Sequence, residues 1–470
     1  MKTILAIDQG THASRAMLFD PNGQNIASQW CEVELLHPEP GRVEHDPDAL
    51  LKSVRSVISD LLGSLTPELR KSITACGICT QRSTVLACTQ PGTSISQALS
   101  WQDVRGADFL NTLSTHHAEI QQLSGLPVSA HYGASKLHWL MKHAIKTGQT
   151  DTAYLAPLVS YLLLNLLENK PYYVDHSNAQ RTQLMNMENQ HWSKSLLDWF
   201  EITASQLPEI KPICYPYGLL QDTDIPVTAV CGDQNAAVFG SGELPGDTAL
   251  INLGSGAFVL RRLTQPISSK QQLSGIAYSD TQTVDYLREG TVNGAGTALS
   301  WASKQFDLGD LKLVLQDWLE EVTDPPVFIN TIGGIGSPWW QRDLTPQWIG
   351  GTPKDKAAIA VSVVESIVFL VQDNLQLMRQ EKPLHQLRVS GGLSQLDGLC
   401  QKLANLSGLL VERMDNPEAT ARGVAWLAAG RPAHWQTTAA DHFKPQQDAS
   451  LAERYQLFCK QLSSLIQEQD

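Results

Sequence analysis

The sequence predicts an α/β protein whose two domains face a central cleft. Short apolar runs of strand type alternate with longer segments in which apolar residues recur at helical spacing. A strand–turn–strand pattern with a small-residue turn also occurs twice, around Gly10 and around Gly254, about half the chain apart. Two similarly built domains would give this repeat, so we place them at residues 1–243 and 244–470.

The individual elements follow from the local patterns. Strands are predicted for the apolar runs at residues 4–7, 16–19, 73–78, 227–230, 249–253, 258–260 and 387–389. Helical spacing is clearest over residues 357–378 and 451–466, which predicts a helix against a sheet and a docked C-terminal helix. Residues 154–167 predict a buried helix that is too short for a membrane span. Residues 265–272 and 431–449 have no clear period and are expected to be surface connections.

Composition narrows the class of function. Of 470 residues, 42% are hydrophobic and 18% are charged, which is enough apolar material for sizeable cores and too little charge for a disordered chain. The net charge of −13, with no basic run, argues against a nucleic-acid partner and against an anionic membrane surface. Asp8 interrupts the first apolar run, so no secretory signal is predicted and we expect a cytoplasmic protein. The pair Cys76 and Cys79 lies in an apolar run and is expected to be core packing.

The two turns are candidate phosphate sites. The sequence has no GxxxxGK[ST], GxGxxG, HExxH or GxSxG motif, so a nucleotide would have to be held in another way. A Gly-Thr or Gly-Ser turn between strands offers backbone N–H groups and a hydroxyl to phosphate oxygens, although each turn alone is also an ordinary hairpin. Asp8 ends the first such strand, where it would either cap the turn or reach a phosphate-bound Mg²⁺.

Three further segments carry polar groups that suit a ligand. Asp233 follows the strand at residues 227–230, where it would either cap the next helix or act on a substrate. Residues 81–84 and 101–105 supply an arginine, an indole and polar side chains, which are typical of a site for a hydroxylated ligand. Salt-bridge and core roles are the alternatives for these side chains.

A collinear series of motifs now links these segments. In order, they are Ala-Ile-Asp-Gln-Gly-Thr at 6–11, Pro-Gly-Arg-Val-Glu-His-Asp-Pro at 40–47, Thr-Gln-Arg at 80–82, Trp-Gln-Asp at 101–103, Asp-His-Ser-Asn-Ala-Gln-Arg-Thr at 175–182, Gly-Asp-Gln at 232–234, Gly-Gly-Ile-Gly-Ser-Pro-Trp at 333–339 and Val-Ser-Gly-Gly at 389–392. The series resembles the glycerol kinase branch of the FGGY carbohydrate kinases over nearly the whole chain. The resemblance implies two domains of the actin and hexokinase type, which are ribonuclease H-like, with ATP and Mg²⁺ in the cleft between them.

The resemblance also implies roles for individual residues. Asp233 would be the catalytic base and would contact the acceptor, and Asp8 would hold the metal. The other substrate-binding positions that it implies are Arg82, Ser83, Trp101, Tyr132 and Gln234, and the nucleotide-binding positions are Thr11, Ser14, Arg15, Ser255, Gly256, Gly296 and Gly392.

The sequence departs from the glycerol kinase pattern at several of these places. Ser83 stands where glycerol kinases have a substrate-binding glutamate. His12 and Ala13 replace hydroxyl residues in the first phosphate loop, and Ser300 and Leu396 replace amide residues near the nucleotide. The departure at Ser83 concerns the acceptor, and the others concern the nucleotide side.

The expected activity is ATP-dependent phosphorylation of a primary hydroxyl of a small polyol or sugar. A pentulose kinase of the same family is one alternative, and a non-catalytic sugar-binding or regulatory protein on the same fold is the other. The resemblance leaves the oligomeric state open, with a homodimer as one option.

Overall fold

Two large mixed sheets organise the chain. The computed structural model describes residues 2–90, 92–144, 153–266, 269–341, 344–414, 418–437 and 439–467. The strands are β1 (Thr3–Gln9), β2 (Ala13–Phe19), β3 (Asn25–Glu32), β4 (Glu44–His45), β5 (Ile73–Thr80), β6 (Val85–Thr89), β7 (Thr93–Ser94), β8 (Ala98–Leu99), β9 (Ala153–Pro157), β10 (Tyr173–Asp175), β11 (Glu209–Lys211), β12 (Cys214–Leu219), β13 (Pro226–Gly232), β14 (Thr248–Leu253), β15 (Ala257–Leu263), β16 (Leu273–Ser279), β17 (Val284–Val292), β18 (Phe328–Ile329), β19 (Gln347–Trp348), β20 (Gln386–Ser390), β21 (Leu410–Arg413) and β22 (Asp441–Phe443).

Helices cover both sheets and fill the connections. The α-helices are α1 (Pro47–Ser64), α2 (Pro67–Lys71), α3 (Ala107–Asn111), α4 (His117–Ser124), α5 (Gly133–His143), α6 (Leu158–Leu166), α7 (His176–Gln180), α8 (Lys194–Trp199), α9 (Asp233–Ala237), α10 (Gly296–Phe306), α11 (Leu311–Glu321), α12 (Lys356–Glu381), α13 (Asp397–Ser407), α14 (Ala419–Ala428) and α15 (Ala449–Gln467). Short 3₁₀ turns occur at Ser114–His116, Ala204–Gln206, Gly392–Gln395 and Ala433–Trp435.

The two sheets share one plan. Within the described ranges, the first sheet has the order β12-β13-β5-β1-β2-β3 and the second has the order β16-β17-β15-β14-β20-β21-β22. Strand β1 is antiparallel to β2 and parallel to β5, and β14 is likewise antiparallel to β15 and parallel to β20. The turns at Gly10 and Gly254 therefore occupy equivalent positions, and the predicted α/β fold with a repeated unit is confirmed.

The element predictions agree with the structure except in the connections. All seven predicted strands lie within observed strands, and the two predicted helices lie within α12 and α15. The helix predicted for residues 154–167 is wrong in its first part, because residues 153–157 form β9 and pair with β6. A strand partner distant in sequence satisfies that backbone, and no local pattern contains this information. Residues 431–449 are not purely a surface connection either, since Trp435 is buried and 441–443 form β22.

Helix α12 is the centre of the second core. The Asp355 carboxylate caps it by accepting from the N–H groups of Ala357 and Ala358. Among the described residues, α12 is the one helix that is long and apolar enough to cross a membrane by length and composition alone, and 94% of its most apolar window is buried inside the protein. That burial is typical of the central helix of a folded core.

Helix α14 belongs to the second half of the chain and packs on the first sheet. It packs on β1, β5 and β13, and a Cβ at Gly77 of β5 would lie 2.5 Å from the carbonyl oxygen of Val424. The Arg422 guanidinium donates to the carbonyl oxygens of Gly23, Gly240 and Trp435. The hydrophobic cores therefore do not separate at a single point in the chain, because α14 lies beyond the predicted boundary at residues 243/244 and still belongs to the first core. Residues of β14 to β17, such as Leu250 and Ile276, also join the first core, and the domain boundary stays a prediction.

Candidate active site

Two carboxylates lie at the same edge of the first sheet. Asp8 is near the C-terminal end of β1, and Asp233 directly follows β13 as the first residue of α9. Strands β1, β5 and β13 are parallel, so their carboxyl ends meet at this edge. Asp8 is 5% exposed, and burial, reinforced by the Asp233 carboxylate, raises the pKa of Asp8 to about 6. Burial also raises the pKa of Asp233, and the guanidinium of Arg82 opposes that rise.

Arg82 lies between Asp233 and a carboxylate from the other half of the chain. Its Nε is 3.7 Å from Asp233 Oδ1, and its Nη1 is 3.6 Å from Oε2 of Glu289, which lies on β17. Nη1 also donates to Asn235 Oδ1 at 3.2 Å. The same Glu289 oxygen accepts from Arg181 Nη2 at 2.5 Å. Burial alone would raise the pKa of Glu289. The guanidinium groups of Arg181 and Arg82 outweigh that effect and hold this pKa below its usual range.

Ser83 and Gln234 lie beside this network. Ser83 has a positive φ of 64°, is buried, and donates its hydroxyl to the carbonyl oxygen of Arg181 at 3.4 Å. The backbone N–H of Gln234 donates to Asp233 Oδ1 at 2.7 Å. Among the described residues, Oε1 of Gln234 has no hydrogen-bond partner although it is buried, so this oxygen can accept a bond from a ligand hydroxyl.

Aromatic side chains form another wall. Nε1 of Trp101 donates to Oγ1 of Thr11 at 2.9 Å, and the Trp101 ring meets the His131 ring edge-on at 5.5 Å between centroids. Tyr132 is buried directly beside His131, and burial raises the pKa of Tyr132 to about 12, so its phenol keeps its proton at neutral pH. Burial also holds the pKa of His131 well below its ordinary value, which makes this imidazole neutral.

The first predicted phosphate loop connects β1 to β2. The N–H of Gly10 donates to the carbonyl oxygen of Ala13 at 2.9 Å and closes the turn. Thr11 lies in this turn, and Nη1 of Arg15 is 3.5 Å from Asp8 Oδ2. Ser14 does not join them. Its hydroxyl is buried and is hydrogen-bonded to the Ser53 hydroxyl of α1 at 2.8 Å, so the structure turns this side chain away from the cleft.

The second predicted phosphate loop connects β14 to β15 and abuts the start of α10. The N–H of Gly254 donates to the carbonyl oxygen of Gly256, and the N–H of Gly296 donates to the carbonyl oxygen of Gly254. A Cβ at Gly256 would lie 2.9 Å from the carbonyl oxygen of Val292, so the close approach of these backbones requires glycine. Ser255 is exposed at the tip of the turn.

Gly392 completes the nucleotide side. It follows β20, the parallel neighbour of β14, and it is exposed with no atom within 4 Å of where its Cβ would be. The loops after β14 and β20 therefore reach one edge of the second sheet, with backbone groups accessible to a phosphate or a nucleotide.

The sequence analysis did not assign a role to Glu289, Arg181, Asn235 or His131. Arg181 belongs to the motif at residues 175–182, so the sequence could have indicated that it lies at the site. Glu289 has no comparable local signal, because both of its arginine partners are more than 100 positions away in the chain.

A divalent cation fits the donor set at the first sheet. The described residues contain no group of three or more His, Cys, Asp or Glu that would hold a metal by itself. Mg²⁺ is usually bound through one or two carboxylates together with substrate phosphates. Asp8 and Asp233 provide such carboxylates. Burial, reinforced by the Asp233 carboxylate, raises the pKa of Asp8, and a bound cation would favour its ionised form.

Known proteins are similar to this chain in sequence. A glycerol kinase from Acinetobacter baylyi is 34% identical over 449 residues, which is 91% of this chain and 90% of that protein. A glycerol kinase from Synechocystis is 31% identical over 454 residues, which is 92% of this chain and 91% of that protein.

Solved structures agree in fold. The structure of Plasmodium falciparum glycerol kinase with ADP has a TM-score of 0.88 at 24% identity, covering 99% of this chain and 98% of that one. A ligand-bound xylulose kinase from Lactobacillus acidophilus has a TM-score of 0.88 at 21% identity with the same coverage.

Family comparison covers both halves of the chain. Residues 3–240 match the N-terminal domain of the FGGY family of carbohydrate kinases, and residues 249–430 match the C-terminal domain of that family. The resemblance that the motifs indicated is thereby confirmed, and the chain belongs to the FGGY family of carbohydrate kinases.

Proposed function

We propose that this kinase transfers the γ-phosphoryl group of ATP to a primary hydroxyl of a polyol or ketose with four or five carbons. The observation that supports the proposal most directly is the position of Asp233. Asp233 is the first residue of α9, at the carboxyl edge of the first sheet. Its side chain is 25% exposed and lies 3.7 Å from a guanidinium nitrogen of Arg82.

Asp233 would act as the general base. In phosphoryl transfer to a hydroxyl, a carboxylate accepts the proton of the attacking group. Most of the catalysis comes from positioning and electrostatics. Arg82, 3.7 Å from Asp233, would orient the acceptor together with the free amide oxygen of Gln234 and the Trp101 ring. Closure of the cleft around both substrates would exclude water and so limit ATP hydrolysis.

Mg²⁺ would be held by the Asp8 carboxylate and by the phosphates of ATP. When bound, the cation supplies positive charge that neutralises the phosphate oxygens. The protein contributes Thr11, Arg15 and the backbone of the Gly10 turn on one side. The Ser255 turn, Gly296 and Gly392 contribute on the other side.

The acceptor size is inferred from Ser83. This residue directly follows Arg82 and donates to the Arg181 carbonyl oxygen, which supports a place for it in the substrate wall. Serine is shorter than the glutamate of glycerol kinases and carries no charge. The space and the lost hydrogen bond would favour an acceptor that brings one or two more carbons and another hydroxyl.

An ADP-release assay tests the proposal. Glycerol, erythritol, D-ribulose and D-xylulose are compared with an acceptor-free control at fixed Mg·ATP. A higher kcat/KM for a four- or five-carbon acceptor supports the proposal, and glycerol as the best substrate contradicts the acceptor class. No acceptor-dependent ADP release across a wider screen of polyols, ketopentoses and ketohexoses would favour the non-catalytic alternative. A homodimer and a cytoplasmic location stay predictions, tested by light scattering and by fractionation.

A further inference from the structure

We infer that Glu289 is a positioning residue that keeps Arg82 from closing on the Asp233 carboxylate. The inference rests on the proposed role of Asp233. Glu289 is 2% exposed and lies on β17, whereas Arg82 and Asp233 belong to the first half of the chain. Its side chain therefore connects the second sheet to the acceptor site.

The distances show Arg82 shared between two carboxylates. Its nitrogens are 3.7 Å from Asp233 and 3.6 Å from Glu289, and neither distance is that of a close ion pair. The Arg82 side chain is 10% exposed, so few water molecules compete for its donors. Asn235 accepts a hydrogen bond from Arg82 at 3.2 Å and itself donates to the carbonyl oxygen of Ile276 in the second half.

Charge balance explains why this arrangement is stable. Arg82 and Arg181 are like charges in a buried space, and Glu289 faces both of them. Without the Glu289 charge, Asp233 becomes the nearest anion for Arg82. The guanidinium would then move onto Asp233, occupy the oxygens that must accept the hydroxyl proton, and leave the position from which it would contact the acceptor.

The strand that carries Glu289 also leads toward the predicted nucleotide side. It pairs in register with Leu260 of β15, which begins just after the Ser255 turn. Three residues after Glu289, β17 ends, and the chain then reaches Gly296 at the start of α10. One strand thus carries the Arg82 partner and leads directly to the predicted nucleotide side.

Steady-state kinetics of Glu289→Gln test the inference. We expect kcat to fall about 10- to 100-fold and the KM for the acceptor to rise, while the KM for ATP stays within about twofold, because the damage is confined to the acceptor side. Glu289→Asp keeps the charge on a shorter side chain and should recover part of the loss.

The matched control is Glu365→Gln. Glu365 is a buried carboxylate in α12 that also serves two cations, with Lys402 Nζ at 2.8 Å and Arg454 Nε at 2.7 Å. It lies in the second core, so its loss should reduce stability without changing the KM for the acceptor.

Charge imbalance could prevent Glu289→Gln from folding, and a second variant covers that case. Arg181→Gln combined with Glu289→Gln removes one charge of each sign and still deprives Arg82 of its second carboxylate. We expect the same kinetic loss from this double variant.

Crystal structures of the single and double variants provide a measurement independent of turnover. We expect the Arg82–Asp233 distance to shorten from 3.7 Å to about 2.9 Å. An unchanged distance in a folded variant, or a kcat within about twofold of wild type, would overturn the inference. If wild type shows no acceptor-dependent turnover, the proposed function fails, and the crystal comparison still decides whether Glu289 positions Arg82.

Discussion

The indole Nε1 of Trp101 donates a hydrogen bond to the hydroxyl of Thr11 at 2.9 Å. Trp101 belongs to the predicted acceptor wall and Thr11 to the first predicted phosphate loop. The two binding sides are therefore connected by a direct bond between residues 90 positions apart in the chain. A change to either partner is expected to affect both substrates.

Trp101→Phe should raise the KM values for ATP and for the acceptor together, each by about fivefold. The phenyl ring keeps much of the apolar surface and loses the donor, and a typical hydrogen bond contributes about 1 kcal/mol. Trp339→Phe is the control, since it removes an indole bond to Asp373 elsewhere in the protein. An unchanged KM for ATP in Trp101→Phe would show that the bond does not connect the two sides.

Asp233→Asn should reduce kcat by about 100- to 10,000-fold, while ATP and the acceptor still bind. The amide preserves the shape of the side chain and cannot accept the hydroxyl proton. Single-turnover ADP formation and calorimetric binding measure the two effects separately. A variant that keeps more than about a tenth of wild-type kcat would remove Asp233 from the role of base.

Asp8→Asn should abolish Mg·ATP-dependent turnover and stabilise the metal-free protein above pH 6. The folded-state pKa of Asp8 is about 6 against an ordinary value of 3.8, so the folded protein binds the proton more tightly than the unfolded chain. As pH rises from about 4 to about 6, the free energy of unfolding of wild type therefore falls relative to that of the variant by on the order of 2 to 3 kcal/mol.

Urea unfolding of wild type and Asp8→Asn at several pH values measures this difference. Asp20→Asn is the control, because Asp20 is also buried but accepts from two backbone N–H groups in a turn away from the cleft. It should keep turnover and gain no stability. A wild-type-to-Asp8→Asn difference that stays constant from pH 4 to pH 7 would contradict the burial argument.

Ser83→Glu should shift the acceptor preference toward glycerol. A carboxylate at this position would accept a charge-assisted bond from a substrate hydroxyl, which is worth about 1.5 to 3 kcal/mol, or roughly 10- to 150-fold in discrimination. The ratio of kcat/KM for glycerol to that for D-xylulose, compared with wild type, measures the shift. If wild type already prefers glycerol and the substitution does not help, a bridging water is the better explanation of the Ser83 site.

Gly423→Ala should reduce kcat although residue 423 is not at the site. A Cβ there would lie 1.8 Å from the carbonyl oxygen of Ala236, so α9, which begins with Asp233, must shift away from α14. A displacement of about 1 Å at a catalytic group costs up to about 100-fold in rate. Gly63→Ala is the control, because Gly63 lies in α1 with no atom within 4 Å of its Cβ position, and alanine should stabilise that helix. Wild-type kcat in a folded Gly423→Ala protein would contradict the expected shift of α9.

The sequence by itself determined seven of the strands, the helices α12 and α15, and the positions of several candidate site residues at strand ends. These features are local. Apolar runs mark buried strands, and Asp8, Thr11, Ser255 and Asp233 stand at strand ends within short patterns of small and polar residues. The alternation of side chains along a strand also indicates that Ser14 and Arg15 cannot both face the cleft, because neighbouring residues of β2 point to opposite faces.

Tertiary structure alone decided which distant groups meet. The pairing of β9 with β6, the packing of α14 on the first sheet, and the carboxylate of Glu289 beside Arg82 and Arg181 all join residues far apart in the chain. A local pattern records which face of an element is apolar, and it does not record which element will cover that face. The ion pairs of Glu289 with Arg82 and Arg181 require both sheets to be folded and docked, because the second half supplies a carboxylate to arginines of the first half.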